Sequence, residues 1–218
     1  MQNPIQRFFS SLPLGARVLV FLYLVGYPLA LLGHYTHTAD LYDWLGLWPP
    51  LVRKGEVWLL VSYAFLPNGP VDWVVSIFWL ATLVSVMGRH WSAGEMWGYC
   101  LLATLVGALV VFVANPALCG PVVGNGAMIF ALLAAWYRLY GRERLILLGF
   151  GEISVRQATV IVAVIEVLVS LFCLGWLVTL AMMSGGVAGW FYLYLRGKTA
   201  MNRRSQVVGS ERIARLEL

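Results

Sequence analysis

Apolar residues in this chain fall in long unbroken runs, unlike the alternation of a half-buried strand or the single stripe of a soluble helix. Six such stretches, 16–33, 71–87, 96–113, 127–140, 158–177 and 178–195, are picked out by their length and by flanking charges or breakers. At 1.5 Å per residue a helix needs roughly 20 apolar residues to cross a bilayer, so each stretch predicts a membrane-crossing helix. The fourth is short, about fourteen residues, and predicts a helix that starts below the membrane surface. The first is expected to stay in the protein, because no small-residue cleavage site follows the apolar run at Gly33. Between the first two stretches, residues 34–70 carry Trp44, Trp48 and Trp58 among apolar runs interrupted by Asp40, Asp43, Arg53, Lys54 and Glu56. Amphipathic, Trp-bearing segments prefer the headgroup interface, and this one is too short to build its own core. It is expected to form a collar partly embedded in the membrane.

Composition agrees with the pattern. Of 218 residues, 61% are hydrophobic and 11% charged, and the mean hydropathy is +0.80, far from the roughly 25% charge of a soluble domain. A water-soluble globule is excluded, and so is a disordered chain, which needs solvated charge. Cys100, Cys119 and Cys173 make neither a disulfide framework nor a metal-ligand spacing, so no disulfide, metal or cofactor is expected. The net charge of +5 is spread over segment ends, which suits a membrane surface and not nucleic acid. With the N-terminus cytoplasmic, every Lys and Arg except Arg53 and Lys54 falls on the inner side. That asymmetry predicts both termini in the cytoplasm, because positively charged loops resist translocation. The expected organisation is an all-α membrane domain over 1–198 and a basic cytoplasmic tail over 199–218. It lies in the plasma or inner membrane of a bacterium or in a eukaryotic endomembrane.

Glu166 stands inside the apolar run 161–171. An ionisable residue in a span is a functional candidate, here for a polar contact in a groove or a proton-linked site. The structural alternative is a protonated Glu hydrogen-bonded to a neighbouring helix, favoured by the lack of a second charge to accompany it. Paired charges and an internal repeat, which would point to a transporter, are not seen in the sequence. Gly185 and Gly189 lie four apart in the last span, and Gly124-Asn125-Gly126-Ala127 opens the fourth with Ala131 one turn on. Small residues at that spacing let helix backbones approach closely, so the two segments are expected to be neighbours.

These motifs resemble the rhomboid superfamily of six-span membrane proteins. The family's fourth helix opens with Gly-x-Ser-Gly, and here Gly124-Asn125-Gly126-Ala127-Met128-Ile129-Phe130-Ala131-Leu132-Leu133 puts Gly126 at the position of the nucleophilic Ser. The sixth helix of the family carries a catalytic His followed by Gly at +3 and +7. Gly185 and Gly189 keep those places, and Met182 stands where the His would be. Glu56-Val57-Trp58-Leu59-Leu60-Val61-Ser62-Tyr63-Ala64-Phe65-Leu66 resembles the Trp-Arg motif of the first outer loop, retaining Trp58 but with Leu59 for the Arg. Aligned on Gly88, the His and Asn that support the oxyanion fall on Ser76 and Leu80. The resemblance spans residues 15–195.

Hydrolysis by that route needs a nucleophile and a base within about 2.6–3.2 Å and donors for the oxyanion. Gly126 has no side chain, and the Met182 thioether cannot take and return a proton. Replacements are not evident: Ser184 is two residues from Met182, His34, His37 and His90 lie outside the spans, and nothing near Cys119 activates its thiol. Asn125 retains a hydrogen-bonding group that suits binding. The resemblance therefore implies a pseudoprotease, with Gly124, Asn125, Ser184 and Glu166 as groove candidates. Its expected partners are the lipid bilayer and membrane-protein clients in quality control, with local thinning of the membrane. A serine-type peptidase with a non-standard site, a channel or transporter using Glu166, and a structural assembly subunit stay open at this point, as does the oligomeric state.

Overall fold

The structure, a computed structural model, describes residues 14–36, 40–88, 91–147 and 151–216. The chain runs as α1 (Leu14–Thr36), then the collar as three short helices, α2 (Leu41–Leu45), α3 (Pro49–Arg53) and α4 (Leu59–Ser62), and a 3-10 turn at Tyr63–Phe65. It continues as α5 (Pro70–Met87), α6 (Ala93–Ala114), α7 (Gly126–Tyr140), the strands β1 (Arg144–Leu147) and β2 (Gly151–Ser154), α8 (Val155–Cys173) and α9 (Trp176–Leu216). Among the described residues, α1, α5, α6, α8 and the part of α9 up to Gly197 are long and apolar enough to cross a membrane, and α7 is a shorter apolar helix of 15 residues.

Helix starts follow local chemistry. Pro70 opens α5, where its missing N–H costs no intrahelical bond. Capping boxes open α6 and α8: the Ser92 hydroxyl accepts from the Glu95 N–H while the Glu95 carboxylate accepts from the Ser92 N–H, and Ser154 and Gln157 repeat the arrangement. The break between the last two long helices differs from the 177/178 boundary expected from hydropathy. It falls at Leu174–Gly175, because Gly175 turns the chain at φ +92, a conformation that disfavours side chains. Leu177 therefore belongs to α9. The α9 backbone stays helical past residue 198, where composition changes from apolar to basic. The antiparallel hairpin of β1 and β2, with Arg144 opposite Ser154 and Leu147 opposite Gly151, is a further departure from an all-helical reading, small enough to leave the fold class helical.

The short helix α7 is the centre of the bundle and packs against α5, α6, α8 and α9. Its residues Ala127 to Leu133 are all buried. Close approach of α9 explains the two glycines: a Cβ at Gly185 would lie 2.6 Å from Ala127 Cα, and one at Gly189 would lie 2.8 Å from Ala131 Cβ. The Tyr99 hydroxyl on α6 donates to Ala131 O at 2.5 Å and the Tyr63 hydroxyl to Thr104 O at 2.9 Å. Each ties a buried polar group to a neighbouring element instead of leaving it unpaired. The collar is part of this assembly, since Leu47, Leu59, Tyr63 and Ala64 join the same core as the long helices. By contrast α8 is peripheral, with Val160, Ile161, Val164, Leu168 and Phe172 exposed, a surface suited to hydrocarbon.

Candidate functional site

The chain enters α7 through an irregular segment held in place by backbone bonds. Leu47 and Val122 form a two-way bridge at 2.8 and 3.0 Å, and the Gly124 N–H donates to Tyr63 O at 3.1 Å. Gly124 is required by its φ of +117; a Cβ there would also meet the Asn68 amide at 2.7 Å, the end of an exposed side chain that can move aside. Asn125 then stands at the N-cap position without a side-chain capping bond, and Gly126 begins the helix. This arrangement sets the start of α7 at the end of a cavity of about 530 Å³ between α5 and α8, closed at the back by α7 and α9.

Most of the cavity wall is apolar, with Val71 and Val75 from α5, Ile165 and Val169 from α8 and Val178 from α9. At its closed end Gly126 and Met182 face each other: a Cβ added to Gly126 would lie 2.9 Å from Met182 Sδ. The Met182 side chain thus fills the space into which a side chain at position 126 would project.

One edge is polar. The Asp72 carboxylate accepts the Asn68 N–H at 2.8 Å, and the Ser76 hydroxyl lies 3.2 Å from Asp72 Oδ1 and 3.0 Å from the Asn125 side-chain amide. A single hydroxyl proton cannot serve two acceptors well. Turning the Asn125 amide so that its NH₂ faces Ser76 gives a chain of donors running Asn125 to Ser76 to Asp72. In either orientation one atom of this buried amide has no protein partner among the described residues. The Tyr23 hydroxyl, also buried and without a hydrogen bond among the described residues, lies near Ser76 and Asp72. Tyr63, at the rim, is a neutral donor, its phenol pushed further above the ordinary range by burial. Ser76→Ala is expected to cost about 1–3 kcal/mol, because it leaves the Asn125 amide without a side-chain partner. Reversible unfolding in detergent measures it, and an unchanged stability would mean that the chain of donors contributes nothing.

Glu166 reaches this cavity from α8, near the Trp79 indole of α5 and within electrostatic range of Asp72. This corrects the expectation that no second charge accompanies it: Asp72, in the first turn of α5, does. The structure therefore brings Gly124, Asn125, Gly126, Met182 and Glu166 to one cavity. Ser184, by contrast, is not among the lining residues, because two residues along a helix turn it away from Met182, and its hydroxyl donates to Ala181 O at 2.8 Å. Trp58 is exposed at the start of α4, and Leu59 beside it is fully buried. Gly185, Gly189 and Ala131 form the α7–α9 contact. His37 and His90 lie outside the described residues, as does the side chain of His34.

Asp72, Asn68 and Tyr23 were missed by the sequence reading. A signal existed for Asp72, which is four residues before Ser76 and so on the same helical face. The hydroxyl and thiol groups lining the cavity belong to Tyr63, Ser76, Ser170 and Cys173, and no His, Lys or Arg is among the lining residues described. Ser170 accepts the Thr179 hydroxyl at 3.0 Å. Such a chamber can hold an apolar segment and offer it hydrogen bonds along one edge.

A search of curated proteins gives no match. A family model described as eukaryotic integral membrane protein (DUF1751) matches residues 17–203, a span that includes the whole cavity wall. With its long apolar helices, the chain is a multi-pass integral membrane protein, and it belongs to the DUF1751 family.

Proposed function

We propose that this protein is a rhomboid-like pseudoprotease that binds transmembrane segments of client membrane proteins in the cavity between α5 and α8. It does so with six spans, both termini cytoplasmic, and a locally thinned bilayer around the short α7. The observation that carries the reading is the contact of Gly126 with Met182. Two positions 56 residues apart in sequence, matched independently to the nucleophile and base of the rhomboid frame, meet at the end of one cavity, and neither carries the chemistry to cut a peptide. Ser76, matched to an oxyanion-supporting position, bonds to Asn125 at that same end, which adds a third coincidence.

Client binding is supported by the way the cavity opens. Its two sides, α5 and α8, make no extensive contact with each other, so an apolar helix can approach from the lipid between Val75 and Ile165, both exposed. Hydrocarbon is as apolar as the incoming helix, so selectivity has to come from polar groups and close packing. Ser76, Asn125, Asp72 and Glu166 supply the polar groups. Photo-crosslinking residues at Val75 and Ile165 are expected to capture membrane proteins in cells, whereas one at Phe21, exposed on α1, is not. Equal capture at all three sites, or none, defeats the client-binding reading. A fluorophosphonate label mapped to one serine of the purified protein would instead support a peptidase with a non-standard site.

A second reading, a channel or transporter, is favoured by the shared placement of Glu166 and Asp72. Flux into liposomes that Glu166→Gln abolishes would select it over client binding.

A further inference from the structure

A second concavity lies on the other side of α8. It is a groove of about 620 Å³ between α7, α8 and α9, walled by Phe130, Leu133, Val160, Val164, Val187 and Trp190 among others. The polar side chains on its wall are few: the Thr159 hydroxyl is already committed to Val155 O at 2.7 Å, and Tyr137 and Trp190 each add one polar atom to walls that are otherwise mostly apolar.

Its end, where α7 stops and α8 begins, has a different character. Tyr137 of α7 and Trp190 of α9 lie with ring centroids 5.8 Å apart, both lining the groove. A guanidinium rests on each: Arg138 is 5.4 Å from the Trp190 ring and Arg156 is 5.6 Å from the Tyr137 ring. Cation–π contact holds the two cations in place but leaves their N–H groups free to bond. Arg144 and Arg196 are paired with Glu152 at 3.0 Å and Glu95 at 2.7 Å. Arg138 and Arg156 have no such carboxylate among the described residues. Two positive charges with no carboxylate partner among the described residues thus stand on an aromatic shelf at the mouth of an apolar groove.

The geometry points to a binding site for a phospholipid with an anionic headgroup, one acyl chain lying along the groove and the phosphate held between Arg138 and Arg156. Guanidinium groups suit phosphate because their N–H donors match its oxygens in pairs. A basic pocket between membrane helices is a recurrent site for acidic lipid headgroups, and the volume falls within the range of about 300–1,000 Å³ found for ligand sites. A zwitterionic lipid has the same chain but brings its own cation to the arginines. A transmembrane helix would fit the apolar walls, yet it brings no anion of its own to the mouth. The site is independent of client binding, since it uses the opposite face of α8.

Native mass spectrometry of the full chain released from mild detergent tests this, with phosphatidylglycerol and phosphatidylcholine of identical acyl chains supplied separately. The wild-type protein is expected to retain phosphatidylglycerol about 25-fold more tightly, from two basic contacts each worth about a factor of five, and to gain more thermal stability from it. Arg138→Gln with Arg156→Gln is expected to remove the preference, and Gly186→Leu, which fills the groove beside Phe130, to reduce retention of both lipids. Equal retention of the two lipids by the wild-type protein overturns the proposal without relying on any variant. So does a preference that survives loss of both arginines. Crosslinks between Val164 residues of two copies, with a dimer in size analysis, would also overturn it by showing that a second chain covers the groove.

Discussion

Gly185→Ala is expected to destabilise the protein by about 2 kcal/mol net, and Gly185→Val to prevent the bundle from assembling. A Cβ at this position would stand 2.6 Å from Ala127 Cα and 2.7 Å from Ala127 C, both backbone atoms of the central helix that cannot rotate away. Overpacking typically costs about 1–3 kcal/mol, and a collision with backbone belongs at the top of that range. The gain in helix propensity from Gly to Ala, about 1 kcal/mol, offsets part of it. The neighbour provides the control: a Cβ at Gly186 would make ordinary contact at 3.4 Å with Phe130 Cβ, so Gly186→Ala is expected to be neutral or stabilising by up to about 1 kcal/mol. Unfolding in mixed micelles compares the two. If the two alanine variants are equally stable, α9 does not rest on α7 as described.

The second large effect concerns Gly126 and Met182. Gly126→Ser is expected to cost about 1–3 kcal/mol because the new side chain meets Met182 Sδ and Cε, 2.9 and 3.2 Å from its Cβ. Met182→Ala alone is expected to cost about 2–5 kcal/mol, the usual loss on emptying a packed site. Combined, the two should cost less than their sum by about 1–2 kcal/mol, since the serine enters space that the methionine has vacated. Additivity within about 0.5 kcal/mol would mean that the two side chains do not share that space. It would also remove the observation on which the pseudoprotease reading rests.

Much of the architecture was legible because hydrophobic length and local capping are properties of contiguous residues. The starts of α5, α6 and α8 follow from Pro70, Ser92 and Ser154, and the lipid-compatible character of the long helices from their apolar runs. The α7–α9 neighbourhood was also legible, since Gly185 and Gly189 repeat at the helical spacing that brings one face close to another chain segment. The 177/178 boundary failed because mostly apolar residues stand on both sides of Gly175, so hydropathy alone does not place the turn. The backbone angle at Gly175 decides it. The hairpin after α7 was missed for a similar reason, as its short strands lie in a segment whose apolar residues read equally well as the edge of a span.

The polar cavity was less accessible to sequence reasoning. Glu166 was visible as a charge within an apolar run, but its company was not. Asp72 read as an acidic residue at a helix start, a placement that the helix dipole alone explains. Its position beside Ser76 and Asn125 follows from the packing of α5 against the start of α7. Ser184 shows the converse, a candidate two residues from Met182 that the helical turn of roughly 100° per residue carries to another face.

Sequence alone determined that this is a membrane-embedded helical chain, because no soluble fold can bury so large an apolar fraction with so few charges. It also determined that Gly126 and Met182 lack the groups for peptide cleavage, since that is a matter of side-chain chemistry. Whether those two positions meet, which polar residues share their cavity and where two arginines converge on an aromatic pair were decided by the tertiary structure. Each depends on contacts between residues far apart in the chain, set by how closely α7 and α9 approach and how far α8 stands from α5. Distance along the sequence carries no information about those separations.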